Sequence, residues 1–457
     1  MPSVNRTIQL VLSSALAATL SSGCDNGPPG AADRPGGPGG PGGPGGPGGP
    51  GGPGGPGGAF APVAEAPPVS GELYVLGQAL FFDKVLSGNR DVSCASCHHP
   101  DVGTDDDLAL SLGVGASGLG TARSGGTRIG RNAPALFNLH LYPALFWDSR
   151  VSRNRDGQIQ SPAGEQLTAE MEETLALGGA AGAQAMFPVT SAVEMRGAPG
   201  SNEIADLAAD DFTGIWGALM VRLGEIDQYV QLFEAAYPGT AFSDMTFAHA
   251  GNAIAAFEFR AFSRTDSPFQ AFLQGDQDAL SQRQRDGMND FVRAGCAVCH
   301  RGPLLSDFDH HNTALAQLGP GVGHGPDGDD DFGRGGETGR AGDRYAFRTP
   351  PLLNVELSGP YGHAGQFSDL GEFIQHYRNP DEQLADYDAE EHVDDADLAQ
   401  TVLDTIDAIL ATIDNNTDAR GFNNGDVVAF LESLTADGAT DLSDTVPASV
   451  PSGIPVE

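Results

Sequence analysis

The chain has 457 residues, of which 61 are Asp or Glu and 24 are Lys or Arg, so its formal net charge is −37. This charge argues against nucleic-acid binding, because the phosphate backbone would repel the protein. It favours solubility and suits the steering of a basic protein partner, although a solvated acidic surface would have the same composition. The length is sufficient for two domains.

The first residues have the pattern of an export signal. An apolar run from about Ile8 to Leu20 is too short to span a bilayer and leads through small residues to Cys24. We predict a lipoprotein-type signal peptide over residues 1–24, with Cys24 acylated. The alternative is ordinary cleavage beside an incidental cysteine, because Ser21 stands where leucine is usual. The sequence thus predicts a periplasm-facing protein that contacts a membrane only through its lipid anchor.

A Gly/Pro-rich tract follows, and its GGP repeats run to Gly58. Glycine adds backbone entropy and regular proline stiffens the chain, so such a tract does not pack a core. We predict a disordered tether over residues 25–70, with a collagen-like triple helix as the minor alternative.

The sequences CASCH and CAVCH, which begin at Cys94 and Cys296, contain four of the five cysteines. A disulfide within either motif would close a tiny ring. A zinc site needs four ligands, and a redox CxxC pair does not require the histidine. Covalent haem attachment uses all three residues, because two thioethers hold the porphyrin while the histidine ligates the iron. We therefore predict two c-type haems attached through Cys94, Cys97, Cys296 and Cys299, with His98 and His300 as axial ligands.

Apolar residues at helical spacing precede each motif, from about Gly71 and from about Leu280. The segment DFTGIWGALMVRLGEIDQYVQLFEAAYPG predicts a further helix that stops at its Pro-Gly pair, and TFAHAGNAIAAFEFRAF predicts another. The Gly- and Asp-rich residues 301–348 predict a loop. We expect a mainly α protein with long irregular loops and two cytochrome c-like haem domains. Their predicted bounds are 71–265 and 266–445, followed by a tail over 446–457.

The order of the motifs LFFD, CxxCH, FWDSR, PVTSAVEM, CxxCH and FRTPPLLNVELSGPYGHAGQFSDL resembles the bacterial di-haem cytochrome c peroxidases and their MauG-type relatives. The resemblance covers Gly71 to Leu442. It implies that the N-terminal haem reacts with hydrogen peroxide and that the C-terminal haem transfers electrons to it.

The resemblance also implies roles for three residues near the first haem. Glu194 matches the distal acid, Gln184 a distal glutamine, and Trp147 the electron relay between the haems. A peroxidase must move a proton between the two peroxide oxygens, and a nearby carboxylate is a natural carrier. Without the resemblance, a solvated glutamate and a loop amide would be the ordinary interpretations.

Some family members close the resting first haem with a histidine from the loop after the motif, and Val114 stands at that position here. Valine does not ligate iron, so we expect the haem on His98 to keep an open face at rest. His99 is next to the proximal ligand and cannot reach the opposite face, so we expect it to be a surface or hydrogen-bonding histidine.

The second haem needs a different sixth ligand from the methionine of many cytochromes, because the last methionine is Met288, before the second motif. The resemblance places Tyr377 there, as in MauG-type enzymes. Tyr377 also continues an apolar stripe with Leu370 and Ile374, which is typical of a buried helix face. His376 is a second candidate ligand.

The family's calcium ion between the haems is matched by the Asn132 side chain and by the carbonyls of Ser358 and Pro360, which are the hard oxygen ligands that calcium prefers. His363 matches a histidine at a haem edge. We therefore expect one calcium ion in addition to the two haems.

We expect a peroxidase that takes electrons from a small redox protein, either a cytochrome c or a cupredoxin. In the MauG-like alternative, the enzyme oxidises a partner protein over a long range. An alternative of another class is a non-catalytic electron-transfer protein, which would have two closed, six-coordinate haems.

Overall fold

The computed structural model describes residues 58–395, 397–398, 402–414 and 417–457. The predicted signal peptide, Cys24 and residues 25–57 of the predicted tether lie outside this part. The described chain is mainly helical with a few short strands, as the sequence predicts. In the same residues, every helix is too short or too polar to cross a lipid bilayer.

The helices are α1 (Gly71–Phe82), α2 (Ala169–Thr174), α3 (Gly179–Gln184), α4 (Phe212–Gly224), α5 (Asp227–Ala236), α6 (Phe247–Phe262), α7 (Pro268–Leu273), α8 (Gln282–Arg293), α9 (Arg334–Thr338), α10 (Leu370–His376), α11 (Pro380–Ala385), α12 (Ala389–His392), α13 (Val402–Leu410) and α14 (Asn424–Glu432). The strands are β1 (Ala116–Ser117), β2 (Ser124–Gly125), β3 (Ala144–Leu145), β4 (Val151–Arg153), β5 (Ile159–Gln160), β6 (His310–His311) and β7 (Phe347–Arg348).

The strands pair only with antiparallel neighbours: β1 with β2, β3 with β4 and β5, and β6 with β7. In the β3–β4 hairpin Leu145 pairs with Val151, so the FWDSR motif occupies the turn. In the last pair His310 lies opposite Arg348. These small sheets fix loops rather than form a core.

The first core is built by α1 and α6, with α3, α4 and α5 around them. The Ser70 hydroxyl caps α1 by accepting a hydrogen bond from the Leu73 amide at 3.1 Å. The two helices cross at Gly77, where a Cβ would lie 1.9 Å from the carbonyl oxygen of Ala253. Any larger residue at this position would force the helices apart, so the crossing depends on glycine.

The second core repeats this arrangement with α8 and α14. Ser281 and Gln284 form a capping box at the start of α8. The helices cross at Gly287, where a Cβ would lie 1.8 Å from the carbonyl oxygen of Asp426. Each CxxCH motif is therefore preceded by a helix that crosses a later helix at a glycine.

One predicted helix is two helices in the structure. The segment before Pro238 forms α4 and α5, because Ile226 adopts an extended conformation with φ −112° and ψ 101° between them. Residues 301–348 are mostly irregular, as predicted, with only β6, α9 and β7 as regular elements.

The last part of the predicted tether packs against the body. The Phe60 side chain is buried against the rings of Phe269, Phe291 and Phe430. The Ala59 carbonyl accepts a hydrogen bond from the Gly302 amide at 2.8 Å. The chain thus enters its folded part beside the second motif.

Candidate functional site

Both CxxCH motifs have the same local structure. Each begins as a short 3₁₀ turn, Cys94–Ser96 in the first and Cys296–Val298 in the second. The histidine amide of each motif then donates to the carbonyl of its first cysteine, at 3.0 Å for His98 and 2.9 Å for His300. One turn therefore brings both cysteines and the histidine to one place, as haem attachment requires.

The ring of each motif histidine is fixed in the same way. The Nδ1 atom of His98 lies 3.1 Å from the Thr104 carbonyl oxygen, and that of His300 lies 2.9 Å from the Leu305 carbonyl oxygen. Both carbonyls belong to residues with positive φ, 64° for Thr104 and 52° for Leu305. Because a carbonyl only accepts, Nδ1 carries the proton and Nε2 is left to bind a metal. Burial also lowers the pKa of His98 to about 4, so this imidazole is neutral.

The four motif thiols are free of disulfides. Burial raises the pKa of Cys94 to about 12 and that of Cys296 to about 11. A redox-active CxxC pair needs the opposite shift. The group of ligand-type side chains in the described residues that is tight enough for a metal contains Cys299, Asp307 and His311, and it does not gather both cysteines of a motif. The disulfide, redox and zinc alternatives are therefore all disfavoured.

A large apolar cavity lies beside the second motif. Its walls include Cys296, Cys299 and His300 together with side chains of α8, α10 and α14. The same cavity is lined by Arg348, a buried cation whose Nε donates to the Phe146 carbonyl at 3.1 Å. A haem has an apolar ring and two carboxylates, so the apolar walls and this guanidinium fit it.

Tyr377 and His376 point to different surroundings. Tyr377 lines the cavity with His300, whereas the buried His376 donates from Nε2 to the Thr313 carbonyl at 2.8 Å. Burial raises the pKa of the Tyr377 phenol, so this phenol stays protonated unless a cation lies close to its oxygen. A metal ion in the cavity would supply that cation.

Trp147 and the predicted calcium ligands line the same cavity. The Trp147 indole donates to the Asn132 carbonyl at 2.9 Å, and the Asn132 side-chain amide donates to the Leu108 carbonyl at 3.0 Å. A calcium ligand from this side chain would therefore be its amide oxygen. Ser358 and Pro360 lie on the wall of the same cavity, and a calcium ion held by the three residues stays a prediction.

His363, the predicted haem-edge residue, is buried and stacks on Phe347 with ring centroids 3.5 Å apart. The backbone carbonyl of His363 accepts a hydrogen bond from the backbone N–H of Asn132 at 2.9 Å. Burial lowers the pKa of His363 to about 3, so the ring is neutral.

Glu194 belongs to a π-helical turn, Ala192–Arg196, that is capped by the Ser191 hydroxyl at 3.3 Å from the Glu194 amide. Its turn contacts the loop that follows the first motif, since a Cβ at Gly113 would lie 3.0 Å from the Glu194 Cα, and the Glu194 charge contributes to a raised pKa of Cys97. Burial raises the pKa of Glu194 itself, while the positive charge of Arg150 partly offsets this rise. Gln184, the predicted distal amide, is half-buried at the end of α3.

The loop that carries Val114 is fixed to the same turn. The Val114 amide donates to the Val193 carbonyl at 3.1 Å, next to Glu194. At Gly113 a Cβ would lie 1.9 Å from that carbonyl oxygen, so the loop approaches as closely as glycine permits. His99 is buried, accepts a hydrogen bond from the Asp101 amide at 3.2 Å and packs edge-on against Phe82.

The sequence analysis missed an ion-pair network beside the Trp147 turn. Arg131 binds Asp331 through two nitrogens, at 2.7 and 2.8 Å, and also binds Asp148, all three being buried. Although burial acts in the opposite direction, Arg150 and Arg131 hold the pKa of Asp148 below its usual range. The run of Asp residues around Asp331 indicates a charged segment. It does not indicate that Asp331 pairs with Arg131, which is 200 residues away.

Comparison with known proteins supports the interpretation of the two CxxCH motifs as haem-attachment sites. Residues 71–278 match the family model for di-haem cytochrome c peroxidase. The chain is 30% identical to the cytochrome c551 peroxidase of Pseudomonas aeruginosa over 339 residues, which cover 72% of this chain and 81% of that protein. It is 29% identical to the methylamine utilization protein MauG of Methylorubrum extorquens, over 69% of this chain and 71% of that protein.

Solved structures have the same fold. A MauG-like protein associated with microbial copper homeostasis aligns with a TM-score of 0.55 and 24% identity, over 84% of this chain and 96% of that one. The diheme peroxidase BthA from Burkholderia thailandensis aligns with a TM-score of 0.56 and 19% identity, over 83% and 91%. The predicted resemblance is therefore confirmed, and the chain belongs to the bacterial di-haem cytochrome c peroxidase family of peroxidase-type oxidoreductases.

Proposed function

We propose that the protein reduces hydrogen peroxide at the first motif, using electrons that enter at the second. The overall reaction consumes one H2O2, two protons and two electrons and gives two waters, so a one-electron donor protein must react twice. Each haem, when bound, supplies an iron that binds ligands and exchanges single electrons. The protein residues hold, orient and shield these groups and move the protons.

Glu194 is the residue that we assign to proton transfer at the first site. Its turn is held against the loop that follows the first motif, and its raised pKa favours the protonated acid near neutral pH more than for an exposed glutamate. The neighbouring loop offers Val114 rather than a metal-binding side chain. This pairing of a fixed acid with a side chain that does not ligate iron is the observation that carries the proposal.

Tyr377 and His300 are the residues that we assign as those that would hold the iron of the second haem. Tyr377 lines the cavity with His300, whereas His376 is held on the Thr313 carbonyl. Trp147 lines the same cavity, and its indole is held by the Asn132 carbonyl, which suits a relay between the two sites. A calcium ion held by Asn132, Ser358 and Pro360 would stiffen this region.

We infer two cytochrome c-like domains, over 71–265 and 266–445, on the basis of the two apolar cores around α1/α6 and α8/α14. Export, acylation at Cys24 and a periplasm-facing location remain proposals that rest on the N-terminal sequence.

The resting absorption and EPR spectra test this proposal. We expect one high-spin and one low-spin ferric haem, with only the high-spin signal lost on adding peroxide. Two low-spin haems that ignore peroxide would instead support the non-catalytic alternative. Tyr377→Phe should change the low-spin signal alone, and His376→Phe is the matched control that should leave it unchanged.

The MauG-like alternative, peroxide-dependent oxidation of a partner protein, is favoured by Tyr377, because a phenolate ligand stabilises oxidised iron. Turnover with a reduced cytochrome c separates the two functions. Rapid, saturable oxidation of the cytochrome supports peroxide detoxification, whereas its absence in a protein that still reacts with peroxide supports oxidation of a partner.

A further inference from the structure

The C-terminal residues 446–457, which we call the C-terminal strap, run back across the molecule to the first motif. The Ser452 hydroxyl donates to one oxygen of Asp83 at 2.7 Å, and the Ser452 amide donates to the other at 3.1 Å. Asp83 also accepts a hydrogen bond from the buried Tyr229 hydroxyl at 2.7 Å. The side chain of Val450 is buried in the first core. The strap is therefore anchored to the end of α1, just before the motif.

Beyond this anchor, Glu457 reaches the cysteine turn itself. One oxygen of its carboxylate accepts a hydrogen bond from Ser96, between the two motif cysteines, at 2.5 Å. The other oxygen lies 2.9 Å from the Lys84 ammonium and 3.6 Å from the Arg123 guanidinium. Glu457 is only 9% exposed, so its charge is balanced inside this cluster rather than by water.

Within the described residues, the second motif has no comparable cover. Ala95 and Ser96 are 1% and 0% exposed, whereas Val298, between the cysteines of the second motif, is 54% exposed. Arg301, which follows His300, is also exposed. The four cysteines themselves are all partly buried, so the two motifs differ in the exposure of the residues between and beside their cysteines.

We propose that the C-terminal strap is an insulating cover that determines where electrons enter the protein. This inference rests on the proposed function, in which electrons reach the first site through the second. Electron transfer between molecules slows steeply with distance, and the cysteine side of a c-type haem is a natural point of close approach. By covering that side of the first site, the strap blocks direct reduction there and leaves the second motif as the entry point. Its residues act by excluding reductants, so Glu457 is a specificity-determining residue rather than a catalytic one.

The test compares the holoprotein with Glu457→Gln, with a chain that ends at Pro455, and with the control Glu432→Gln, which makes the same change at an exposed residue of α14. Without peroxide, stopped-flow absorption follows reduction of the high-spin haem by dithionite. In this step one SO2 radical anion is oxidised to SO2 and one ferric iron becomes ferrous. We expect this direct reduction to be several-fold faster in both strap variants and unchanged in the control. Hydrogen exchange at the amides of residues 94–97 should rise in parallel.

A second measurement separates insulation from simple stabilisation. Turnover of peroxide with a protein donor should not change in the strap variants, while turnover with a small reductant should rise. If both rates fall together, or if dithionite reduction stays at the wild-type rate while hydrogen exchange rises, the strap is only structural and the proposal is wrong. Because dithionite reduction needs no peroxide, a negative result here overturns the insulating role of the strap without bearing on peroxide reduction at the first motif.

Discussion

The two motif regions have the same cysteine turn and the same kind of helix crossing, and they differ in the side chains and the cover that other segments place around them. Both have a 3₁₀ turn, a histidine fixed by a carbonyl on a residue with positive φ, and a preceding helix that crosses a later one at a glycine. They differ in the side chains that we propose for the chemistry at each site, Glu194 at the first and Tyr377 at the second. They differ also in cover, since among the described residues a strap lies over the first cysteine turn and none over the second.

This comparison shows how one binding unit can serve two tasks. Haem attachment needs a short pattern and a short loop, so the same CxxCH pattern suffices twice. Reactivity needs an acid, a ligand or a cover placed by segments tens to hundreds of residues away. We therefore expect changes within the motifs to abolish a site and changes around them to alter what the site does.

The largest effect should come from the cysteines. Replacing Cys94 and Cys97 together by serine removes both thioether bonds of the first site, and the same change at Cys296 and Cys299 removes those of the second. We expect each double variant to keep one covalent haem, measured by the pyridine haemochrome spectrum and by intact mass. Loss of both haems from either variant would show that the sites do not form independently.

Glu194→Gln should keep the shape of the first site and remove its proton carrier. General acid–base catalysis typically contributes about 100- to 10,000-fold, so we expect a loss of that order in peroxide turnover. The low-spin spectrum of the second haem should not change. The exposed Glu165 supplies the matched control, because Glu165→Gln makes the same chemical change away from both motifs. Full activity in Glu194→Gln would remove this residue from the mechanism.

Breaking the ion-pair network beside Trp147 should have a smaller effect than these substitutions, and this effect should be on the free energy of unfolding. Removing one partner of a buried pair typically destabilises a protein by about 3–5 kcal/mol. We expect Asp331→Asn to fall at the lower end of this range, because Asp148 still balances Arg131. Urea unfolding measures the change in free energy, with Asp329→Asn at an exposed position of the same loop as control. An equal, small effect of both substitutions would show that the network contributes little.

The sequence was sufficient to predict those parts of the structure that depend on short patterns. The haem motifs, the helices before them and the mainly helical fold follow from spacing and composition, and the family resemblance is confirmed by the comparisons. The roles of Glu194, Trp147 and Tyr377 stay predictions, although the structure puts Glu194 against the loop that follows the first motif and the other two on the wall of one cavity.

The rest could not be predicted because it depends on contacts between remote residues. Arg131 and Asp331 are 200 positions apart, and Ser96 and Glu457 are 361 apart. No local pattern links such pairs, since each depends on how whole segments pack. The break between α4 and α5 was missed for another reason, because a change of backbone conformation at Ile226 leaves the apolar spacing on both sides intact.

The last effect, and a further distinction of the first region, concerns Glu258 on α6. Its side chain is buried, one carboxylate oxygen lacks a hydrogen-bond partner, and it is close enough to raise the pKa of Cys94. Burial raises the pKa of Glu258 from 4.5 to about 8. The folded protein thus binds one more proton than the unfolded chain between these values, so the free energy of unfolding should fall as pH rises through this window.

Glu258→Gln removes this titration, and each pKa unit corresponds to about 1.4 kcal/mol. We therefore expect the variant to match the wild type below about pH 5, to become increasingly more stable than the wild type as pH rises through neutral, and to keep the full difference above about pH 8. Denaturant midpoints measured across this range provide the test, with the exposed Glu173→Gln as control. Parallel curves for the wild type and Glu258→Gln would mean that the buried carboxyl finds a partner on ionisation, and the distinction between the two regions would then rest on Glu194, Tyr377 and the C-terminal strap.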